Sequence, residues 1–185
     1  MTDSRQETVI VLTGSPRKKG NCAILADQMI QELKKCGKNV IRFDAADMKV
    51  GPCHACLTCF ASGKPCSFDD DFNAFAQQLE KADGIVYIMP LYWFGIPAPL
   101  KAVMDKCYCF FHTGKDLSGK KCALVSVCGL RKGSAFMGTF YTFQRIFHIL
   151  HWNNVGNVLI TTVNEPGDVL NTDGPERVRR LAHKF

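Results

Sequence analysis

The sequence lacks the features that mark secreted, membrane-spanning and nucleic-acid-binding proteins. Its first residues, MTDSRQE, are polar and have no apolar signal-peptide core. The longest uncharged stretch, residues 84–100, contains three prolines and is too short to span a bilayer comfortably. The net charge of +6 comes from scattered basic residues without interleaved aromatics. We therefore expect a cytoplasmic protein with no nucleic-acid partner and no membrane partner.

Cysteine, by contrast, is abundant, with ten residues in a chain of 185. Thiols stay reduced in the cytoplasm, so clustered cysteines there indicate metal or redox chemistry more than a disulfide framework. The chain shows no repeats, and its length suits one core. We expect a single domain over residues 1–185, with a cysteine-rich loop at about residues 46–68.

Short apolar runs alternate with helical stripes along the chain. Continuous apolar strands of this kind are typical of parallel sheets that are covered by helices on both faces. Ligands bind such α/β sheets at the carboxyl ends of the strands, which here means the loops after residues 14, 90 and 128. The predicted strands are residues 8–14, 39–45, 84–90, 121–129 and 155–163. The predicted helices lie near residues 25–36, 72–82, 97–107, 136–150 and 173–185.

The loop after the first strand, residues 14–22, reads GSPRKKGNC and leads into a helix. Free amides and the positive end of the helix dipole favour an anion there. Ser15 and Asn21 add neutral donors, and Arg17 adds a charge-assisted donor. These features suit a phosphate, although the loop is neither a Walker A nor a GxGxxG motif. From these residues alone, an ordinary strand–helix turn stays open.

The loop after the third strand reads PLYWFGIPAPLK, residues 90–101. Tyr92, Trp93 and Phe94 can supply aromatic walls for a flat ring, and Gly95 with its neighbouring amides can meet the polar edge of that ring. The alternative is that these aromatic residues fill a core or an interface.

Together the two loops resemble the NADPH-dependent FMN reductase branch of the flavodoxin-like fold. The motifs are GSPRxxGN, PLYWFGIPAPLK and the following Asp105, and the likeness covers about residues 8–163. The resemblance implies a three-layer α/β sandwich with a five-stranded parallel sheet in the order 2-1-3-4-5. It also implies an oxidoreductase that uses FMN as cofactor and NAD(P)H as co-substrate.

The same resemblance implies where FMN binds. Its phosphate would lie in the loop of residues 15–22, and its isoalloxazine would lie against residues 90–95, with the loop after the fourth strand on the other side. Cys22 departs from the Ser or Thr usual in the family, and a thiol is the poorer donor. No catalytic side chain is predicted, because the cofactor carries the chemistry. The implied cofactor-binding residues are Ser15, Arg17, Gly20, Asn21, Cys22, Pro90, Leu91, Tyr92, Trp93, Phe94, Gly95, Cys128 and Gly129.

The cysteine run has the spacing Cys53-x2-Cys56-x2-Cys59-x6-Cys66. Three cysteines at two-residue intervals can wrap one cluster. The run resembles the iron–sulfur flavoproteins, a subgroup of the same family, which implies a [4Fe–4S] cluster on these four cysteines near the FMN of a partner subunit. A metal-free loop stays open. A zinc site fits less well, because such sites usually present two separated CxxC pairs.

Several functions are compatible with these residues. The first is an FMN-dependent NAD(P)H oxidoreductase that passes electrons through a cluster to a small-molecule or protein acceptor. The alternatives are a plain NAD(P)H-dependent flavin or quinone reductase, a thiol or metal redox sensor, and a nucleotide-binding module without redox function. We expect a homodimer or homotetramer, because the aromatic loop and the cysteine loop both need cover. Cys107 is expected in the core, and Cys109 is left unassigned.

Overall fold

Five parallel strands form one sheet in the computed structural model, which describes residues 5–185. The order is β2-β1-β3-β4-β5, and every neighbouring pair is parallel, which confirms the predicted topology. The strands are β1 (Thr8–Thr13), β2 (Asn39–Asp44), β3 (Gly84–Pro90), β4 (Lys121–Val127) and β5 (Asn153–Ile160).

The helices lie in two layers. They are α1 (Asn21–Lys35), α2 (Phe72–Lys81), α3 (Ala98–Lys106), α4 (Tyr108–His112), α5 (Met137–Ile149) and α6 (Gly174–Ala182). The sequence pattern did not predict the short α4, which follows α3 after a single residue. No helix within residues 5–185 has the length and apolarity that a membrane crossing requires.

Alternation along the buried strands divides the core into two halves. Ile10 and Leu12 of β1 point to one face, where they join a cluster with Phe75 of α2 and Phe147 of α5. The intervening β1 residues point to the opposite face, where α1 and α6 pack. Helices on both faces make the three-layer sandwich that the sequence predicted.

Four of the five strands differ from the prediction at their ends, and β1 and β2 each end one residue earlier, at Thr13 and Asp44. β4 ends at Val127 rather than at residue 129, and β5 spans Asn153–Ile160 rather than residues 155–163. Thr162 has a left-handed backbone, with φ of 61°, which explains why β5 does not continue to residue 163. Asn153 extends the strand at its start because it pairs with Lys121 on the outer edge of the sheet, where polar side chains face water.

All five strands end at the same carboxyl edge of the sheet, because every neighbouring pair is parallel. The loops that follow them include the phosphate-loop candidate at residues 14–20. The connection from β2 to α2, residues 45–71, contains neither helix nor strand, as expected for the cysteine-rich segment.

Candidate functional site

The loop between β1 and α1 is shaped by its own hydrogen bonds. The Gly20 amide donates to the Arg17 carbonyl oxygen at 3.1 Å, and the Arg17 amide donates to Ser15 Oγ at 3.2 Å. Within the described chain no side chain caps α1, and its first turn carries no acidic residue. The first amides of α1 and the positive end of its dipole therefore stay available to an anion such as a phosphate.

The structure gives Asn21 a different role from the predicted side-chain donor. Its Nδ2 donates to the Glu165 carbonyl oxygen at 2.8 Å. Its Oδ1 accepts the amides of Gly167 at 2.9 Å and Val169 at 3.2 Å. The side chain therefore fastens the loop after β5 to the start of α1, and only the backbone amide of Asn21 remains for an anion.

Cys22 lies at the boundary between the candidate phosphate site and the core. It lines the cleft, yet it is only 2% exposed and packs in the cluster between α1 and the sheet. Burial raises the pKa of this thiol to about 12, so the sulfur stays protonated at neutral pH. A buried neutral thiol does not add negative charge beside the anion site.

The aromatic loop after β3 forms a tight hairpin turn. The Tyr92 amide donates to the Gly95 carbonyl oxygen at 3.1 Å, and the Gly95 amide donates to the Tyr92 carbonyl oxygen at 2.8 Å. The two residues between them, Trp93 and Phe94, have φ of 46° and 60°. Glycine and asparagine normally fill such positions, so two large aromatic residues there store backbone strain of the kind that marks functional loops.

This turn modifies two of the expected roles. Trp93 is 96% exposed and Phe94 is 60% exposed, so neither ring fills the core. The amide of Gly95 is used inside the turn and is not free to meet a ring edge. The exposed aromatic side chains therefore project from a rigid turn at the carboxyl edge of the sheet.

The loop after β4 lies against the Asn164 side chain at Gly129. A Cβ built on Gly129 would lie 1.9 Å from Oδ1 of Asn164, so the end of that side chain would have to move. The backbone at Asn164 is held, because its amide and that of Glu165 donate to Asp168 Oδ2 at 2.9 Å and 2.8 Å. These two hydrogen bonds lower the pKa of the Asp168 carboxyl. Gly129 thus allows the loops after β4 and β5 to approach closely.

One continuous cleft contains nearly all of the predicted cofactor residues. Its first part is lined by residues of the loops after β1, β3 and β4, and its second part extends to Trp93 and Phe94. Leu91, Cys128 and Gly129 line both parts. Gly95 is the one predicted residue outside these linings. Asn164 also lines both parts but was not predicted, because it directly follows the predicted fifth strand and no motif marks it.

A second cavity brings the four clustered cysteines together. Cys53, Cys56, Cys59 and Cys66 all line it, and Cys109 of α4 lines it as a fifth thiol. We call this space the cysteine cavity. The remaining lining residues are His54, Ala55, Leu57, Ser67, Phe68, Lys106 and Tyr108. Cys109 was left unassigned by the sequence, because only the α3–α4 junction brings it to this loop.

The backbone around the cavity is strained at three non-glycine positions. Ala55, Leu57 and Phe60 have φ of 50°, 58° and 60°. Such left-handed residues cost energy unless the surrounding structure or a function holds them. Two of them flank Cys56 and the third follows Cys59, so the strained positions lie beside the cysteines themselves.

Polar contacts hold the end of the loop. The Cys66 amide donates to Oδ1 of the buried Asn73 at 2.8 Å, and Asn73 Nδ2 donates to the Phe68 carbonyl oxygen at 2.8 Å. The Ser67 hydroxyl donates to the Thr58 carbonyl oxygen at 2.6 Å. The loop is therefore anchored to the first turn of α2.

The thiols of the cavity differ in acidity. The pKa of Cys56 is lowered, chiefly by its contact with the Thr58 hydroxyl at 3.0 Å and to a smaller extent by the charge of Lys106. Burial, followed by the charge of the neighbouring thiols, raises the pKa of Cys59. Burial also raises the pKa of Cys109 well above its usual range.

The cysteine cavity offers sulfur donors of the kind that bind metals, but in the described structure these donors are not arranged around one metal position. All ten cysteines are free thiols. Among residues 5–185, no three His, Cys, Asp or Glu side chains are already grouped as metal ligands. The cysteine cavity and the first part of the cleft have no lining residue in common. One chain therefore carries two separate candidate sites.

Comparison with known proteins finds sequence relatives over most of the chain. A family model described as NADPH-dependent FMN reductase matches residues 8–164. An iron–sulfur flavoprotein of Methanocaldococcus jannaschii is 30% identical over 95% of this chain and 94% of its own length. An iron–sulfur flavoprotein of Methanosarcina thermophila is 31% identical over 76% of this chain and 71% of its own length.

Solved structures match the fold over almost the whole chain. An azoreductase from Bacillus anthracis has a TM-score of 0.77 at 19% identity, covering 97% of this chain and all of its own. An FMN-dependent NADH-azoreductase from the same species, in complex with FMN, has a TM-score of 0.73 at 15% identity, covering 96% of this chain and 99% of its own. At these identities the likeness establishes the fold.

Proposed function

The chain belongs to the NADPH-dependent FMN reductase family of oxidoreductases, and on this basis we propose an FMN-binding, NAD(P)H-oxidising flavoprotein with a [4Fe–4S] cluster. The observation that carries the proposal is the pairing of two sites in one chain. The chain has a cleft with an uncapped helix start at one end and aromatic residues at the other, and it also has a separate cavity lined by four cysteines.

The residues that line the cleft have the chemical groups that FMN binding requires. The proposed phosphate site consists of the α1 amides, Ser15 and Arg17, whose charge opposes that of a phosphate. Gly129 lines the far wall, where an added Cβ would require the Asn164 side chain to move. When bound, FMN would supply the exchange between a hydride and single electrons. The chain's own residues bind and orient the cofactor.

The nicotinamide co-substrate would approach from the aromatic end. Phe94 lines a second pocket together with Arg131 and Lys132, which can meet the phosphates of a dinucleotide. We therefore propose NAD(P)H as the electron donor and a small-molecule or protein acceptor. Ten free thiols suit a reducing compartment, so the proposed location is the cytoplasm.

The cysteine cavity fits an iron–sulfur cluster in its donor set. Cys53, Cys56, Cys59 and Cys66 are the proposed ligands, because their side chains line one space and thiolates are the usual ligands of such clusters. The strained residues beside Cys56 support this assignment, since strain without function would be costly.

We also propose a homodimer or homotetramer. Exposed apolar side chains surround both sites, with Leu57 and Tyr108 at the cysteine cavity and Trp93 and Phe94 at the cleft. Large exposed apolar groups of this kind mark interaction surfaces. We propose that a partner subunit covers them.

A second candidate is a plain NAD(P)H-dependent flavin or quinone reductase without a cluster. The observation that favours it is that the described thiols are not grouped as ready metal ligands. In that case the four cysteines would contribute only to the shape of the loop and the interface.

Cysteine variants separate the two candidates. We expect Cys59→Ala and Cys66→Ala, purified without oxygen, to lose iron and acid-labile sulfide but to retain FMN. Cys36→Ala is the matched control, because Cys36 is half-buried and lies outside the cysteine cavity. If wild type, variants and control all contain FMN without iron, the cluster is refuted and the plain reductase stands.

A further inference from the structure

Lys106 is a buried lysine at the wall of the cysteine cavity. It occupies the last turn of α3, and its side chain is only 2% exposed. A lysine is rarely buried unless a partner compensates its charge. The family proposal gives Lys106 no role, so its burial beside the four thiols needs an explanation.

The compensating partner is Asp70, whose side chain is 15% exposed and forms an ion pair with Lys106. Asp70 also accepts the amides of Gly51 and Phe72, both at 3.1 Å. The carboxylate is therefore held by the start of the cysteine loop and the first turn of α2, and it holds the lysine in turn.

The ion pair is oriented relative to the cavity. Lys106 lines the cavity, whereas Asp70 does not. The Lys106 Nζ atom lies 5.8 Å from the centre of the Phe68 ring, which also lines it. Among the described lining residues, Lys106 is the only lysine or arginine. The lysine is therefore the member of the ion pair that borders the four thiols.

This orientation has a direct electrostatic consequence. A cluster held by four thiolates is anionic, and reduction adds one further negative charge. A nearby cation in a partly buried site stabilises the reduced form more than the oxidised form. Charges and hydrogen bonds around a metal centre tune it in this way without binding the metal.

We propose that Lys106 is a positioning residue of the cysteine cavity, whose ammonium group, held by Asp70, stabilises negative charge there and raises the reduction potential of the cluster. This inference rests on the proposed function for its redox consequence. The positive potential that Lys106 creates at the four thiols does not require a bound metal.

The first test measures the cluster potential in anaerobically purified protein. We expect Lys106→Met to lower the potential and Asp70→Asn to raise it, because the neutral amide leaves the ammonium uncompensated. The single oxygen of the introduced asparagine can replace only one of the two acceptors that Asp70 offers to the amides of Gly51 and Phe72, so some loosening of the loop is expected as well. Lys106→Arg should restore the wild-type value. Lys101→Met is the control, since Lys101 lies on the same helix but pairs with Asp105 away from the cavity. Shifts of the same sign in Lys106→Met and Asp70→Asn would indicate simple loosening of the loop and would overturn the proposal.

The second test uses the metal-free protein. The loop thiols react with an anionic aryl disulfide, dithiobis(nitrobenzoate), and with the neutral dithiodipyridine, and the ratio of the two rates reports the local potential. We expect the ratio to fall severalfold in Lys106→Met and to rise in Asp70→Asn, with the sites assigned by peptide mass spectrometry. An unchanged ratio would refute the inference. If the rate ratios change as predicted in a protein that never binds iron, the proposed cluster is refuted, but the electrostatic role of Lys106 stands.

Discussion

Two replacements of Asn21 should affect the stability of the protein and its affinity for FMN to different extents. Asn21→Ala removes three hydrogen bonds between the start of α1 and residues 165–169. The side chain is almost fully buried, so the groups left behind are poorly rehydrated. At about 1 kcal/mol for each bond, the free energy of unfolding should fall by roughly 3 kcal/mol.

Asn21→Asp should destabilise the protein less than Asn21→Ala but weaken FMN binding more. The carboxylate still accepts the amides of Gly167 and Val169, but it sets an oxygen against the Glu165 carbonyl, so the loss of stability should be about 1–2 kcal/mol. The new negative charge in the first turn of α1 opposes a phosphate, so FMN should bind at least about tenfold more weakly.

The assay is urea unfolding of the FMN-free protein, together with fluorescence titration of FMN. Asn39→Ala is the control, because Asn39 makes an exposed hydrogen bond to Thr8 at 3.1 Å and should change stability by less than about 0.5 kcal/mol. The reasoning is refuted if Asn21→Ala leaves the unfolding midpoint unchanged. It is also refuted if Asn21→Asp binds FMN as tightly as wild type.

Three further predictions concern other parts of the molecule. Burial raises the pKa of the Asp83 carboxyl, but the hydrogen bond from the Thr8 amide and the adjacent positive charges outweigh burial, so the pKa is lowered. The stability that the charged carboxylate contributes is therefore lost as the pH falls through the lowered pKa. Asp83→Asn should accordingly reduce stability more at pH 7 than at about pH 3. Thr58→Val removes the contact that chiefly lowers the pKa of Cys56, so alkylation of Cys56 in the metal-free protein at neutral pH should slow severalfold, as measured by peptide mass spectrometry. Trp93→Gly relieves a positive φ, so it should raise the free energy of unfolding by about 0.5–1 kcal/mol while FMN binding weakens.

Each of these predictions has a clear contrary result. A loss of stability in Asp83→Asn that is the same at both pH values would mean that the carboxyl does not titrate differently in the folded and unfolded states. An unchanged rate at Cys56 would remove Thr58 from the account of its acidity. A less stable Trp93→Gly would show that ring contacts outweigh the backbone strain at the turn.

The sheet was predictable because its strands are nearly continuous apolar runs. Five such runs, each followed by a helical stripe or a long loop, leave few arrangements other than a covered parallel sheet. The boundaries were less predictable, because the end of β5 depends on the left-handed backbone of Thr162, and threonine carries no strong signal for that conformation.

The candidate sites were predictable from residues that follow strands, and less so from residues that meet through the tertiary fold. The glycines and aromatic residues after β1 and β3 indicated the cleft by their positions alone. Asn21 resembled an anion donor in sequence, and only the loop after β5 shows that its side chain is occupied. The ion pair of Lys106 with Asp70 joins positions far apart in the chain, and no local pattern indicates it.

The most direct test of the proposed function is the content of flavin, iron and acid-labile sulfide in protein purified without oxygen. We predict about one FMN per chain, together with about four irons and four sulfides, as a cluster on four cysteines requires. FMN with neither iron nor sulfide would contradict the cluster on Cys53, Cys56, Cys59 and Cys66. Zinc in place of iron would contradict it as well.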